Sequence, residues 1–172
     1  GSTWLGSIAS TGALLDLKDK VKEFGGAAAF VPAAWSSTGI DGAVTAIPWI
    51  VDARAIFYRK DLLAKVGLTE KDLDTWDSFG IALQKLKDAN LTLGNKPVYP
   101  LGITGKNDWN VIHNLAPWIW GAGGDYLTAD GKQSALDSEA AFNGVLYYVD
   151  LVRKGYVPLD ALELNTAQVS TN

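Results

Sequence analysis

The sequence predicts an α/β fold, and three observations carry this prediction. Segments with the apolar character of strands alternate along the chain with segments of helical spacing. Glycines and capping residues stand at the expected ends of most of these segments. The 172 residues are 48% hydrophobic and 20% charged, a composition typical of a globular domain with a core and unlike that of a disordered chain.

Glycines and turns delimit the elements of the first third of the chain. The first helix has apolar residues at helical spacing, such as Trp4 and Ile8, and it stops at Gly12. The predicted elements are the helices Trp4–Thr11 and Lys18–Phe24, a turn at Asp41-Gly42, and the strands Ala43–Ile47 and Ile50–Tyr58.

Two capped helices dominate the prediction for the rest of the chain. Thr75 is the expected cap of Trp76–Asn90, and Ser138 is the expected cap of Glu139–Lys154. The stripe Phe79, Leu83 and Leu86 is predicted to face the core from the first of them. For the second, the predicted inward residues are Phe142, Val145, Leu146, Val149 and Val152. Between and around them we expect the helix Asp61–Val66, a loop Asn90–Pro97, the strand Val98–Ile103 and the helix Asn110–Trp120.

Composition excludes several classes of function. The net charge of -4 and the lack of a basic stripe argue against a nucleic-acid partner. With no cysteine and one histidine, the chain has no disulfide, no thiolate site and no His-rich metal site of its own. No nucleotide-binding or hydrolase motif occurs, so no cofactor is expected. The chain has seven tryptophans, and aromatic faces of this kind stack on sugar rings, although any single tryptophan more often fills a core.

The predicted strand Ile50–Tyr58 carries two charges in an otherwise apolar run. Because side chains alternate along a strand, Asp52 and Arg54 share one face, and the opposite face is apolar throughout. Charges at such a position need partners. They pair either with each other at a sheet edge, which periodicity alone favours, or with a ligand.

A second informative stretch, from Gly102 to Asp125, leads from a short strand through a polar loop into a helix. Asp108 is a good candidate for the N-cap of that helix, and His113 lies one turn further on. Ligands of α/β proteins bind in loops of this kind. The alternatives are Asp108 as a simple cap and His113 as a buried imidazole, and for His113 taken alone the buried imidazole is favoured. Asp52 and Asp108 together also suggest an alternative, a glycosidase that uses two carboxylates as acid and base.

Five stretches of the sequence, in order, resemble the extracellular solute-binding proteins of bacterial ABC sugar importers, the family that includes maltose-binding protein. They read GSTWLGSIASTGALLDL, IPWIVDARAIFYRKDLLAKVGL, TWDSF, GKNDWNVIHNLAPWIWGAGGD and YYVDLVRKGYVP. The resemblance implies a periplasmic-binding-protein-like fold, in which two α/β lobes joined by crossing strands close on a sugar. Members are much longer, so it also implies that this chain is a middle segment, with residues 1–51 in the first lobe and residues 52–172 forming the crossing strand and part of the second lobe.

The resemblance implies a binding role rather than catalysis. The expected ligand is a mono- or oligosaccharide, and the expected partners are the permease subunits of an importer and either the rest of the receptor chain or a second copy. A sugar-sensing domain of a membrane receptor is a further alternative. The expected location is extracytoplasmic, in the periplasm or anchored outside the cell. The expected ligand-binding residues are Trp4, Trp49, Asp52, Arg54, Asn107, Asp108, Trp109 and His113. Trp49 is the weaker of the two stacking candidates, because its strand parity points to the core face.

Overall fold

The computed structural model describes residues 2–40, 42–51, 53–105, 108 and 110–171, and for residues 2, 3, 170 and 171 only the backbone. The chain divides into two compact units, Gly1–Phe57 and Tyr58–Asn172. Within the described part, no helix combines the length and the apolar character needed to cross a bilayer.

The first unit is built from short elements held together by polar contacts. It contains the helices α1 (Ser2–Ala9) and α2 (Pro32–Trp35) and the strands β1 (Gly39–Ile40) and β2 (Ala43–Val44), which pair antiparallel. One carboxylate oxygen of Asp16 accepts hydrogen bonds from the backbone N–H groups of Lys18 and Val44, both at 3.0 Å. Of the apolar side chains that the structure describes in this unit, Ala9 and Val21 are the buried ones.

The predicted strand Ile50–Tyr58 is not a strand in the described part of the chain. Residues 47–51 and 53–59 lie outside every helix and strand, and Trp49 and Phe57 are 91% and 95% exposed. The apolar face predicted to be core is therefore in solvent. A strand needs a neighbour to complete its backbone hydrogen bonds. None of the described segments provides one here.

The second unit is helical and contains the core. Its elements are α3 (Lys60–Lys65), α4 (Trp76–Asp88), β3 (Thr92–Leu93), β4 (Lys96–Pro97), α5 (Val111–Gly121), α6 (Glu139–Arg153) and α7 (Thr166–Thr171). Thr75 caps α4 through a bond from the N–H of Ser78, and Ser138 caps α6 through a bond from the N–H of Ala141, so both predicted caps are confirmed. The predicted stripe of α4 is also confirmed, because Phe79, Leu83 and Leu86 are buried.

The core of this unit forms two clusters, and both include buried residues of α4. Phe79 and Leu83 of α4 meet Tyr148 and Leu151 of α6, together with Tyr156 beyond the end of that helix. The second cluster packs α4 against the turn after α3 and consists of Leu63, Leu68, Ala82 and Leu86.

The inward face predicted for α6 is wrong. The buried residues are Ala141, Gly144, Tyr148 and Leu151, whereas Phe142 is 60% exposed and Leu146 and Val149 are also exposed. The reason is close packing against α5. A Cβ at Gly144 would lie 2.5 Å from the carbonyl oxygen of Trp118, so α6 presents its smallest residues where the two helices meet.

Two further predictions around β3 and β4 differ from the structure. The expected loop Asn90–Pro97 contains the antiparallel pair β3–β4, and the expected strand Val98–Ile103 is irregular. One backbone bond, from the N–H of Leu101 to the carbonyl of Tyr156 at 3.0 Å, ties this irregular segment to the chain after α6.

Candidate functional site

The candidate site in the second unit is the loop that leads into α5. The loop is fixed at its start by Thr104, which is buried. The side-chain amide of Asn114 donates to the Thr104 hydroxyl at 2.8 Å, and the Tyr148 hydroxyl donates to the Thr104 carbonyl at 3.1 Å. Both α5 and α6 therefore hold the start of this loop in place.

A close approach of two backbones fixes the next residue. A Cβ placed on Gly105 would lie 2.5 Å from the carbonyl oxygen of Leu162 and 2.8 Å from its Cα. No side chain fits at this distance, so the loop requires glycine here. The contact places residues 102–105 beside the segment that precedes α7.

Asp108 is the polar centre of the loop, and its side chain is buried. One carboxylate oxygen accepts the backbone N–H of Asn110 at 2.8 Å. The other accepts the backbone N–H of Thr166 at 2.5 Å and also the Thr166 hydroxyl. The carboxylate thus joins the start of α5 to the start of α7, across 58 positions of sequence.

These donors also set the ionisation of Asp108. The hydrogen bond from the Thr166 side chain, followed by the bond from the Asn110 backbone, holds the pKa of the carboxyl below its ordinary value, although burial acts in the opposite direction. Asp108 is consequently a carboxylate at neutral pH. A general acid of a glycosidase requires a raised pKa, so this environment does not favour the proposed acid–base pair of Asp52 and Asp108.

Thr166 is a residue that the sequence analysis missed. It opens α7, whose N-terminus is completed by a reciprocal pair: the Asn165 side chain accepts the N–H of Gln168 at 3.0 Å, and the Gln168 side chain accepts the N–H of Asn165 at 2.9 Å. The sequence Asn-Thr-Ala-Gln signals this capping box. The contact of Thr166 with Asp108 has no such local signal.

Two tryptophans near this region belong to the packing of the unit. Tyr147 lies between them, with ring centroids 4.4 Å from Trp76 and 5.2 Å from Trp118. Its hydroxyl donates to the Trp76 carbonyl at 2.8 Å. For these two residues the interpretation of tryptophan as a core residue holds, whereas Trp120 is 57% exposed and donates to Asp125 at 3.0 Å.

Three of the predicted ligand residues that the structure describes lie in the first unit. Trp4 is on α1 and is 69% exposed, which leaves its ring free to stack on a flat apolar partner. Trp49 and Arg54 belong to the exposed segment before the unit boundary. The exposure of Trp49 contradicts the expectation from strand parity that this residue points into the core.

Asp52, Asn107 and Trp109 lie outside the described residues. His113 is half-buried in the first turn of α5, five positions after Asp108. In the described part of the chain no three carboxylate or histidine side chains come together as a metal site. The described geometry shows that Thr104, Gly105 and Asp108, which precede α5, are each held by contacts with other parts of the second unit.

The whole chain matches one protein family. The model of the bacterial extracellular solute-binding proteins covers residues 1–171. A protein of Brucella abortus (strain 2308), named as a binding protein, is 28% identical over 127 residues, which are 73% of this chain and 29% of that protein. An ABC transporter-binding protein of Deinococcus radiodurans is 30% identical over 113 residues, 65% of this chain and 26% of that protein. The chain therefore spans less than a third of the length of these relatives.

Solved structures share the fold. A sugar transporter protein of Arthrobacter chlorophenolicus A6 with bound laminaribiose superposes with a TM-score of 0.74 at 24% identity, covering 95% of this chain and 40% of that one. The GacH receptor of Streptomyces glaucescens GLA.O, solved without ligand and with acarbose, gives a TM-score of 0.67 at 25% identity over 91% of this chain and 37% of its own. The cyclic alpha-maltosyl-1,6-maltose binding protein of Arthrobacter globiformis gives 0.62 at 27% identity over 91% of this chain and 39% of its own.

These matches confirm the predicted fold class, an α/β periplasmic-binding-protein-like fold of which the 172 residues form a part. They also confirm the resemblance that the five sequence stretches indicate. The chain belongs to the bacterial extracellular solute-binding protein family.

Proposed function

We propose that this chain is part of a carbohydrate-binding receptor of an ABC importer. The family match over residues 1–171 carries the proposal. It is supported by the fold shared with the acarbose receptor of Streptomyces glaucescens and with the cyclic maltosyl-maltose binding protein of Arthrobacter globiformis, both at 25% identity or more. The proposed ligand is a mono- or oligosaccharide.

Aromatic and hydrogen-bonding side chains together suit such a ligand. Trp4 and Trp49 offer exposed ring faces for stacking on a pyranose, and a carboxylate and a guanidinium accept and donate the hydroxyl bonds of a polyol. The proposed binding residues are Trp4, Trp49, Asp52, Arg54, Asn107, Trp109 and His113.

Asp108 acts in this proposal by positioning rather than by direct contact. Both of its oxygens already accept bonds from Asn110 and Thr166, and its side chain is buried. Its bonds to Asn110 and Thr166 hold it in place beside the positions of Asn107 and Trp109 in the sequence. Removing it is expected to weaken sugar binding through the loop that leads into α5.

The lobe division remains part of the proposal. Residues 1–51 are assigned to a first lobe and residues 52–172 to a crossing strand and a second lobe. The division into compact units falls a few residues later, between Phe57 and Tyr58. The proposed location is extracytoplasmic and the proposed macromolecular partners are the permease subunits, in keeping with the family description.

We further propose that the chain binds sugar without chemical conversion. The family and fold are those of solute-binding proteins. Asp108, the acid–base candidate that the structure describes, is an ionised anchor with a lowered pKa.

Saturation-transfer difference NMR on the 172-residue chain tests the proposal, because it detects weak complexes that calorimetry misses. The panel is laminaribiose, maltose, acarbose and their monosaccharides. We expect saturation of ring protons for at least one oligosaccharide and no new sugar signals over a day. Absence of transfer for every member contradicts carbohydrate binding, and the appearance of shorter sugars supports the glycosidase instead.

Two exposed tryptophans provide a matched pair of variants for the same experiment. Trp4→Ala removes a proposed stacking face, whereas Trp120→Ala removes an indole that is also exposed, at 57% against 69% for Trp4, and that donates a hydrogen bond to Asp125. Loss of one stacked ring is expected to weaken binding about tenfold, since aromatic contacts of this kind contribute about 1 kcal/mol or more. Equal loss in both variants contradicts the assignment of Trp4.

A further inference from the structure

One asparagine of the chain stands in the sequence pattern that accepts N-linked glycans. Asn90 is followed by Leu91 and Thr92, and the stretch around it reads Asp-Ala-Asn-Leu-Thr. The pattern Asn-x-Ser/Thr, with any residue but proline in the middle, marks an acceptor on a surface loop of a secreted protein. Among the asparagines that have two residues after them in this sequence, Asn90 alone has Ser or Thr at the second position.

The structure places this asparagine at the exposed end of α4. The helix ends at Asp88, and Asn90 follows with a φ of 45°, the left-handed conformation in which an asparagine often ends a helix. Asn90 and Thr92 are both exposed, and Thr92 is the first residue of β3. The acceptor amide and the hydroxyl two positions later therefore lie outside the helix, where an enzyme has access to both.

The contacts that hold Asn90 are local. Its backbone N–H donates to the carbonyl of Lys87 at 3.1 Å, and its side-chain amide donates to the carbonyl of Asp88 at 3.1 Å. The hairpin that follows has strands of two residues each. A helix end followed by so short a hairpin opens locally at a small cost in free energy. The side chain can therefore reach an enzyme without global unfolding of the chain.

Space for a sugar is present beside the amide. A cavity of about 280 Å³ adjoins Asn90, and Lys87, Thr92 and Tyr99 also line it. The Lys87 ammonium donates to the carbonyl of Lys154 at 2.7 Å, which fixes one wall of the cavity. Tyr99 is 49% exposed, so part of its ring is accessible to the first sugar of a glycan. A glycan on Asn90 thus meets an open surface.

We propose that Asn90 is a site of N-linked glycosylation. The donor is an oligosaccharide joined to a polyprenyl diphosphate, and an oligosaccharyltransferase carries out the transfer. A bond forms between Nδ2 of Asn90 and the anomeric carbon of the sugar, while the bond from that carbon to the diphosphate oxygen breaks. One proton of the amide passes to a base of the transferase, and the polyprenyl diphosphate leaves with its oxygen.

The inference rests on the proposed extracytoplasmic location, because N-linked glycans belong to secreted proteins. Asn90 is not among the residues assigned to sugar binding. Transfer from purified components depends neither on the location nor on sugar binding. Failure of the transfer is therefore distinguishable from failure of the proposed function, which the sugar panel measures.

Transfer to the purified 172-residue chain tests the site directly. The probe is a polyprenyl-diphosphate-linked oligosaccharide with a bacterial oligosaccharyltransferase, and intact and tandem mass spectrometry locate the product. We expect one glycan, on Asn90. Asn90→Gln and Thr92→Ala are expected to lose it completely, whereas Thr92→Ser keeps the hydroxyl and is expected to retain it. Circular dichroism of each variant checks that the helices are present.

Val145→Thr provides a matched control within the same molecule. It creates an Asn-Gly-Thr pattern at Asn143, which is also exposed but lies inside α6. Residues two positions apart in a helix point to different faces, so the helix does not present this amide and hydroxyl together. We expect a glycan on Asn90 and none on Asn143 of this variant.

Three outcomes overturn the proposal. They are a parent chain that gains no glycan under conditions in which the transferase modifies a reference acceptor peptide, a transfer that persists in Asn90→Gln, and equal transfer to Asn143 and Asn90 in the folded Val145→Thr variant.

Discussion

The two units of this chain have similarly apolar sequences but very different interiors. Among the residues that the structure describes, fifteen apolar side chains are buried in Tyr58–Asn172 and two in Gly1–Phe57. The second unit has three helices long enough to carry a buried stripe, α4, α5 and α6. The first unit has an eight-residue helix, a four-residue helix and a hairpin of two-residue strands. The comparison shows that apolar content stabilises a unit only where the elements are long enough to bury it.

The largest effect is expected when the two units are expressed separately and their thermal unfolding is compared. Residues 58–172, expressed alone, are expected to unfold in one cooperative thermal transition, because both core clusters lie within them. Residues 1–57 alone are expected to show no cooperative transition, since below about 60 residues a chain with so little burial is marginal. Circular dichroism melting of the two pieces measures this. A cooperative transition of residues 1–57 would contradict the conclusion that the first unit has too little buried apolar surface to be stable alone.

Burial at single positions sharpens the same contrast. Ile119→Ala empties a fully buried site in α5 and is expected to cost about 2–5 kcal/mol of unfolding free energy. Ile50→Ala makes the same change at a position that is 76% exposed and is expected to stay within about 0.5 kcal/mol. Urea denaturation monitored by helicity gives both values. Similar costs at the two positions would show that the first unit has a core after all.

Helical glycines give a third comparison between the units. A Cβ at Gly144 would lie 2.7 Å from the Cα of Ile119, so Gly144→Ala forces α5 and α6 apart at an expected cost of about 1–3 kcal/mol. Gly6 in α1 has open space around it, and Gly6→Ala is expected to raise helicity slightly, because alanine favours a helix by up to about 1 kcal/mol. The melting temperature should therefore fall for Gly144→Ala, whereas Gly6→Ala should leave it unchanged and raise the helical signal slightly. A stable Gly144→Ala variant would mean that the helix contact is looser than the structure shows.

Local patterns predicted the parts of the fold that local interactions determine. Thr75 and Ser138 cap their helices as expected, because a cap depends on residues within one turn. The inward face of α6 was not predictable from hydrophobicity, since Ala141 and Gly144 are buried for their small size and Phe142 remains exposed. The strand expected at Ile50–Tyr58 depended on neighbours that no local pattern specifies.

For the candidate site, too, local features could be predicted from the sequence in part and long-range contacts could not. The sequence predicted Asp108 as the N-cap of α5, and this prediction is wrong, because the N-cap is Asn110. Asp108 lies two positions earlier and accepts the backbone N–H of Asn110. Its partner Thr166 is 58 positions away and could not be found from spacing. The assignment of Trp49 to a core face relied on a strand that the described chain does not form. Family resemblance gave the fold and the class of protein, whereas the individual contacts required coordinates.

The smallest expected effect concerns the contact of the Asp108 carboxylate with Thr166, one of the long-range polar contacts of the second unit. Asp108→Asn keeps the shape of the side chain but removes its charge, and an amide N–H₂ cannot accept from Asn110 and Thr166 as two carboxylate oxygens do. We expect a loss of about 1–2 kcal/mol at neutral pH. The matched control is Asp72→Asn, which removes a similar pair of bonds from the N–H and hydroxyl of Thr69 at a more accessible site and should cost less.

The pH dependence of the loss in unfolding free energy shows whether Asp108→Asn acts by removing the carboxylate charge or by a steric misfit of the amide. The pKa of Asp108 is lowered in the folded chain, so its contribution is present in full above the unfolded value of about 3.9 and is lost as pH falls through the folded value. The difference in unfolding free energy between the parent chain and Asp108→Asn should therefore be constant from pH 5 to 7 and shrink below about pH 4. Urea titrations across this range measure it. A difference that stays constant into acid would show that the amide fails for steric reasons, and that the carboxylate charge does not hold α7 to the loop before α5.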